Sequence, residues 1–151
     1  MDGIRSEQEA ILEEFRGMGD SFGCYSYLLA LAGLLPPCPE EVETPENAVK
    51  GCQSHVWLRS WAEDGRFRFQ ADSDTYILKG LLYLLMNVLD DRPLEAAARA
   101  ELYFWKDPML LGSFEDHRRK GIGHVAEALK TAAGELLKNN DGPQPAEQIS
   151  T

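Results

Sequence analysis

Two stretches of alternating side chains, joined by a short turn, constrain the fold more than any other feature of this sequence. Positions 56, 58 and 60 alternate in character with positions 57, 59 and 61, and the pattern resumes over 66–71. A period of two residues is typical of a strand with two different faces. The intervening Glu63-Asp64-Gly65 has the composition of a hairpin turn. The sequence therefore predicts an antiparallel hairpin over 56–71.

A long apolar segment follows the hairpin. Its apolar positions within 74–89 are Ile77, Leu78, Leu81, Leu82, Leu84, Leu85 and Val88. A helix that is apolar on most faces must be buried, so we expect this helix to pack on the sheet. Helical spacing and breaker residues predict further helices at about 7–16, 21–34, 93–102 and 117–138. With a short strand expected near 47–50, the fold class is α+β: a small antiparallel sheet packed by about five helices.

The size and charge of the chain bound its organisation. Its 151 residues, 44% of them hydrophobic, are enough for one hydrophobic core. We expect a single domain over 1–138 and a disordered polar tail over 139–151. The net charge of -10 repels phosphate backbones, so no nucleic-acid partner is expected. An acidic surface favours instead a protein partner that carries a basic patch.

Membrane and metal functions are disfavoured by the same sequence. We see no apolar leader and no run of membrane-spanning length, and we therefore expect a cytoplasmic protein without a membrane partner. Cys24, Cys38 and Cys52 are odd in number, which favours a reducing compartment over a disulfide framework. They form no Cys-x-x-Cys pair, and the three histidines are scattered. We expect no metal site.

Cys52 follows Gly51 where a loop enters the first strand of the hairpin. A loop at the rim of a rigid sheet can hold and present a reactive side chain. Glycine at position 51 lets the backbone pass closely or adopt a positive φ without steric cost. Spacing alone leaves two interpretations open: a small buried hydrophobe, as free cysteine usually is, or a reactive thiol.

Two sequence blocks around this cysteine resemble the SufE family. The first is Gly51-Cys52-Gln53-Ser54-x-Val56-Trp57-Leu58, and the second is Ala71-Asp72-Ser73-Asp74-x-x-Ile77-x-Lys79-Gly80-Leu81. The resemblance spans roughly 11–137 and implies a fold like those of SufE and the scaffold protein IscU. A weaker third block begins at Arg118. Where the family has Ser-Arg-x-x-Gly-Leu, this chain has His117-Arg118-Arg119-Lys120-Gly121-Ile122.

This resemblance implies a function in sulfur transfer. Cys52 would accept persulfide sulfur from a SufS- or CsdA-like cysteine desulfurase and stimulate that enzyme by emptying its persulfide. The sulfur would then pass to an iron–sulfur scaffold complex of the SufBCD kind. The pyridoxal phosphate (PLP) of the pathway would belong to the desulfurase, so no cofactor is expected in this chain. Whether the chain forms a homodimer stays open.

Around the catalytic Cys52, several motif residues are expected to support the loop or its pocket. The set comprises Gly51, Gln53, Ser54, His55, Asp74 and Lys79. Gln53 and Ser54 are expected to fix the loop by hydrogen bonds, and His55 either lowers the pKa of the thiol or points away. The apolar helix over 74–89 is expected to supply a hydrophobic nook that shields the persulfide.

The remaining motif residues each have two interpretations. Asp74, with Asp72 and Ser73, fits helix capping better than acid–base catalysis. Lys79 lies in an apolar helix, so it must meet a carboxylate or a loop carbonyl. Arg118 either faces the partner protein or is a solvated helix start.

Two rival functions stay open beside sulfur transfer. The chain could be a non-catalytic docking or regulatory module, or a scaffold-like protein, that binds the desulfurase without carrying sulfur. A stand-alone thiol enzyme is disfavoured because no second cysteine lies near Cys52 in the sequence.

Overall fold

The structure is a computed structural model that describes residues 3–51 and 55–140, apart from the side chains of His117 and Asn140. Its elements, in chain order, are α1 (Gly3–Arg16), α2 (Ser21–Ala32), β1 (Val56–Glu63), β2 (Arg66–Ser73), α3 (Tyr76–Leu89), β3 (Arg92–Pro93), α4 (Leu94–Arg99), α5 (Pro108–Leu111) and α6 (Asp116–Asn140). The predicted α+β architecture is confirmed, with helices on either side of a hairpin in the chain.

The hairpin has the predicted position and extends to Ser73. β1 and β2 pair along their full length, from Val56 opposite Ser73 to Glu63 opposite Arg66. The two turn residues between them, Asp64 and Gly65, have φ values of 54° and 77°. Positive φ at both central residues is the requirement of the tight type I′ turn, which matches the twist of the flanking strands.

The third strand differs from the prediction. The segment near 47–50 makes only an isolated bridge, between Ala48 and Trp57. A 3₁₀ turn (Pro45–Asn47) precedes this bridge, so too few residues are extended to form a strand. β3 instead pairs with the turn end of β2, which gives the sheet order β1-β2-β3. Two residues are too few to show an alternating pattern, and the second is a proline.

α3 is the buried helix that its sequence predicts. Nine of its side chains or backbone positions are buried: Ile77, Leu78, Gly80, Leu81, Leu82, Leu84, Leu85, Val88 and Leu89. The helix packs against β2, α1 and α2. The inward side chains of β2, Phe67, Phe69 and Ala71, are also buried and meet it from the sheet. The result is a fixed platform beneath the hairpin.

The remaining helices close the core and differ slightly from their predicted bounds. α4 is shorter than expected, α5 brings the number of α-helices in the described residues to six, and α6 continues to Asn140. The predicted tail therefore starts inside α6, and from residue 141 it lies outside the described residues. Within 3–51 and 55–140, no helix combines the length and apolar character needed to cross a membrane.

Candidate functional site

The candidate site centres on the connection between Val49 and Val56. Its predicted residues Cys52, Gln53 and Ser54 lie outside the described residues, so the site is built from their neighbours. The Val49 N–H donates to the Val56 carbonyl at 2.8 Å, which brings the two ends of the connection together. Gly51 precedes the three residues and His55 follows them.

His55 is held in place by Ser73, the last residue of β2, and by Asp74, which follows it. Its carbonyl accepts hydrogen bonds from the Ser73 hydroxyl, at 2.8 Å, and from the Asp74 N–H, at 3.3 Å. Its own N–H donates to Asp74 Oδ1 at 3.2 Å, and its ring Nδ1 lies 2.9 Å from Asp74 Oδ2. The ring also stacks on Trp57, with centroids 5.6 Å apart and planes 8° apart. Both the backbone and the ring of His55 are thereby fixed.

Asp72, Ser73 and Asp74 do not cap α3 as the sequence suggested. The N-cap residue is Thr75, and no side chain caps the helix there. Ser73 is 3% exposed, and its hydroxyl accepts from the Thr75 N–H at 3.2 Å while it donates to His55. Short polar side chains compete between local backbone partners. Here the Ser73 hydroxyl binds the backbone of His55, at the end of the connection that contains Cys52.

The charge of Asp74 is stabilised by these contacts. Partial burial alone would raise the pKa of Asp74, but hydrogen bonds from the His55 ring, the Thr75 hydroxyl and the His55 N–H outweigh it. The net pKa is lowered, because donors favour the ionised carboxylate. The ring of His55 is therefore committed to Asp74.

The Gly51 end contacts α6 through one side chain. Gly51 has φ +89°, in the region that favours glycine. A Cβ at this position would lie 2.7 Å from Cδ2 and 2.8 Å from Nε2 of His124, which α6 carries. The imidazole edge thus rests directly against the glycine backbone. No local pattern in the sequence predicts this contact, because the two residues are far apart in the chain and the histidines read as scattered.

A groove of about 390 Å³ opens beside the Gly51 end. It is lined by the segment before Gly51, by the edge of β1 and by α6: Glu46, Asn47, Ala48, Val49, Lys50, Leu58, Ser60, His124, Ala128, Leu129 and Ala132. Apolar side chains of β1 and α6 make up much of its wall. The apolar nook expected from α3 is not found here, since no residue of α3 lines this groove. Most apolar side chains of α3 lie in the core instead, and its first two residues, Tyr76 and Ile77, line a different cavity.

Lys79 meets a carboxylate, one of the two kinds of partner expected of it. Its Nζ lies 3.7 Å from Asp72 Oδ1, and the two side chains are 30% and 18% exposed. The ammonium also lies over the ring of Tyr76, 5.3 Å from its centroid. The pKa of Glu43 is raised, chiefly by a side-chain hydrogen bond with Asp72. Desolvation and the charge of the Asp72 carboxylate raise it further. Lys79 and Asp72 thus connect α3, the end of β2 and the loop before β1.

Arg118 lines a second cavity, which Thr75 also lines. This cavity has a volume of about 420 Å³ and includes Tyr25, Leu29 and Tyr76. These three side chains are 39%, 39% and 69% exposed, and we call them the apolar patch. Exposed large apolar side chains that cluster in this way mark interaction sites in soluble proteins.

The other two cysteines are poorly suited to thiol chemistry. Cys24 is fully buried, and burial raises its pKa. Burial, with the charges of Asp72 and Glu43, raises the pKa of Cys38 to about 11. At neutral pH both are thiols, and the thiolate is the nucleophile. In the part of the chain that the structure describes, no cluster of three or more acidic, histidine or cysteine side chains could hold a metal.

Comparison with known sequences identifies relatives. The sequence model of the family described as "SufE: Fe-S metabolism associated domain" matches residues 9–133. An uncharacterized SufE-like protein of Rhizobium etli is 28% identical over 130 residues, which are 83% of this chain and 88% of the relative. Chloroplastic quinolinate synthase of Arabidopsis thaliana is 37% identical over 84 residues. That match covers 55% of this chain but only 12% of the plant protein.

A solved structure has the same fold. The solution structure of a hypothetical protein from Thermus thermophilus superposes with a TM-score of 0.73 and 22% sequence identity. The match covers 91% of this chain and 99% of the other.

Proposed function

The chain belongs to the SufE family of Fe-S metabolism associated domains, and from this premise we propose that it carries sulfur on Cys52. In this proposal Cys52 takes sulfane sulfur from the persulfide of a PLP-dependent cysteine desulfurase. The chain stimulates that enzyme and delivers the sulfur to an iron–sulfur assembly scaffold.

One observation supports this proposal more than any other: the neighbours of the Cys52 segment (residues 52–54) are in contact with two different elements of the fold. His55 is bound by Ser73 and Asp74, and Gly51 rests against His124 on α6. A thiol that must meet a second protein needs a defined position, because preorganisation lowers the cost of reaction.

The proposed step is a transfer of one sulfur atom. The Cys52 thiol loses its proton, and the thiolate attacks the outer sulfur of the desulfurase persulfide. A new sulfur–sulfur bond forms on Cys52 while the bond within the desulfurase persulfide breaks. Its electron pair leaves on the cysteine of the desulfurase as a thiolate, so the exchange needs no external oxidant or reductant. The groove beside Gly51 is open enough to receive the sulfane sulfur.

The apolar patch and Arg118 are the surface we propose for docking of the desulfurase. They share Thr75 with the contacts that hold His55, so a partner bound there lies next to the Cys52 segment. The guanidinium of Arg118 offers a planar donor for a carboxylate on the partner. The same exposed patch also favours the alternative function, a docking or regulatory module that binds the desulfurase without carrying sulfur.

Intact-mass spectrometry tests the proposal. The full chain is mixed with a PLP-dependent cysteine desulfurase and cysteine, without reductant, and its mass is followed. We expect a gain of one sulfur atom that maps to Cys52 and is removed by dithiothreitol. Cys52→Ala should show no gain and no stimulation of the desulfurase, although Cys24 and Cys38 remain.

Two outcomes would contradict sulfur carriage. The chain could gain no sulfur from a desulfurase of the same source that demonstrably turns over. Alternatively, Cys52→Ala could stimulate the desulfurase as well as the natural chain does. The second result would establish the docking module, since only binding would then be needed.

A further inference from the structure

We propose that α2 recognises the cysteine desulfurase through an apolar anchor. In this proposal a large apolar side chain of the desulfurase enters the cavity lined by the apolar patch and Arg118, and Phe22 extends the contact along α2. The proposal rests on the function proposed above, because it takes the desulfurase as the partner. It goes further by assigning specificity to α2, which lies outside the sequence blocks that resemble the SufE family.

α2 lacks the charged face that a surface helix normally has. Charged residues make up 26% of the chain, yet none occurs within 21–39. The preceding helix, α1, is ordinary in this respect, since its exposed residues include Arg5, Glu9, Glu13 and Glu14. A helix with apolar side chains on most faces is normally covered on most faces. We therefore expect the outward face of α2 to meet another molecule.

Large apolar side chains lie on both faces of α2. The inward face lies in the core and includes Cys24, Leu28 and Leu31. On the outward face, Phe22 is 75% exposed. It shares that face with Tyr25 and Leu29 of the apolar patch, because positions three and four residues apart are neighbours on a helix. Phe22 thus enlarges the apolar surface beyond the cavity, which it does not line.

The outward face of α2 stands on a firmly packed base. The Ser113 hydroxyl donates to the Ser21 carbonyl at 3.1 Å, which ties the first residue of α2 to the segment before α6. A Cβ at Gly80 would collide with the carbonyl of Leu28, so the backbones of α2 and α3 are in close contact. A preformed surface of this kind binds with little loss of conformational freedom, which favours affinity.

The cavity beside this face suits a single anchor. Its volume is about 420 Å³, and among its described lining residues Glu115 and Arg118 are charged while the others are neutral. Protein interfaces concentrate their binding energy in a few large side chains that fill desolvated pockets. A tryptophan, phenylalanine or leucine of the partner would occupy this cavity, and a carboxylate beside it would meet the guanidinium of Arg118.

Size and charge favour a transient partner over a second copy of this chain. The apolar patch and Phe22 together expose on the order of 400 Å² of side chain. A standard interface buries about 800 Å² on each partner, and permanent homodimers bury more. Two copies would also bring together net charges of -10, which repel each other. A sulfur carrier must leave its donor after each transfer, so a small apolar contact serves that cycle.

Calorimetric titration with the desulfurase tests the proposal. Cys52→Ala, which prevents sulfur transfer during the experiment, is titrated into a PLP-dependent cysteine desulfurase from the same source. Phe22→Ser and Tyr76→Ser, each made in this background, should weaken the Kd at least about tenfold. These side chains are 75% and 69% exposed, so neither change opens a cavity in the core. The negative heat-capacity change of binding should also shrink, because less apolar surface is buried.

Leu34→Ser is the matched control for these variants. Leu34 is 58% exposed, lies just after α2 and does not line the cavity. Its substitution removes a similar apolar side chain and should leave the Kd unchanged. Equal losses for Leu34→Ser and Phe22→Ser would overturn the proposal. An unchanged Kd for both Phe22→Ser and Tyr76→Ser would do the same, as would a lack of binding by the Cys52→Ala chain.

Sedimentation of the chain alone tests a second copy as the occupant. We expect a monomer at the concentrations of the titration. A dimer that Phe22→Ser dissociates would assign this face to self-association and overturn the proposal.

The titration is independent of sulfur carriage, because it needs no transfer to Cys52. A weakened Kd for Phe22→Ser and Tyr76→Ser, with no sulfur gained in the mass assay, would retain the docking face and reject the carrier. A gain of sulfur on Cys52, with the natural Kd in both variants, would retain the carrier and reject the docking face.

Discussion

The two ends of the Cys52 segment are held by different kinds of interaction. His55 is bound by a set of hydrogen bonds to its backbone and ring, supplied by the adjacent residues Ser73 and Asp74. Gly51 has φ +89°, which favours glycine, and rests against the ring of the exposed side chain of His124. The His55 end depends on polar partners and charge, whereas the Gly51 end depends on shape. Substitutions at the two ends should therefore differ in their pH dependence and in how readily they can be compensated.

Ser73→Ala should give the largest loss of stability at the His55 end. The hydroxyl is 3% exposed and serves both the His55 carbonyl and the Thr75 N–H. Its removal leaves these groups without that partner, which costs about 1–3 kcal/mol. Urea denaturation measures the loss, and we expect alkylation of Cys52 to change as well.

Ser113→Ala is the matched comparison for Ser73→Ala. The Ser113 hydroxyl donates to the carbonyls of Ser21 and Met109, away from the site. Its loss should destabilise the protein without changing the reactivity of Cys52. If both variants altered Cys52 equally, reactivity would follow global stability, and the distinction between the ends would fail.

Asp74→Asn should make the His55 end insensitive to acid. The folded protein lowers the pKa of Asp74, so its carboxylate stabilises the fold fully above the ordinary aspartate pKa of about 3.9. This contribution is lost as the pH falls through the lowered pKa. The difference in free energy of unfolding between the natural chain and Asp74→Asn should therefore shrink on acidification from about pH 5.5.

The measurement for Asp74 is urea denaturation at a series of acidic pH values. Asp116→Asn is the control, since Asp116 is an exposed carboxylate that pairs with Arg119 at 2.8 Å. Its profile should run parallel to that of the natural chain. A constant difference between Asp74→Asn and the natural chain at every pH would mean that the charge of Asp74 does not hold His55.

Lys79→Met should have the smallest effect. The separation of 3.7 Å from Asp72 and the partial exposure of both side chains make this a weak ion pair, worth at most about 1 kcal/mol. Lys106→Met is the control, because the Lys106 ammonium also lies over an aromatic ring, that of Trp105. The difference between the two variants in thermal midpoint reports the ion pair. A loss above about 2 kcal/mol for Lys79→Met alone would give Lys79 a larger part in holding the end of β2.

The fold is predictable from the sequence where one periodicity dominates. The hairpin shows the period of a strand with a short turn, and α3 is apolar on most faces, so each pattern permits one structure. β3 leaves no such signal, because two residues, one of them Pro93, carry no period. The segment near 47–50 does pair with β1, as a strand would, but the pairing is only one bridge long.

The candidate site is predictable only in part. The motif locates His55 and Asp74, yet local sequence does not separate capping of α3 from binding of His55, since a short carboxylate suits both. The contact of His124 with Gly51 joins residues from distant parts of the chain. Such a contact follows from the packing of α6 beside β1 and leaves no signal in local spacing.

The pairing of β1 with β2 has a further consequence. Val56, the first residue after His55, lies directly opposite Ser73. The partner of His55 is thus set by strand register, which the turn at Asp64 and Gly65 fixes at the far end of the hairpin, about 25 Å away. A change of one residue in the length of that turn would exchange the inward and outward faces of a strand. The length of the turn therefore determines that Ser73 is the residue that lies beside His55.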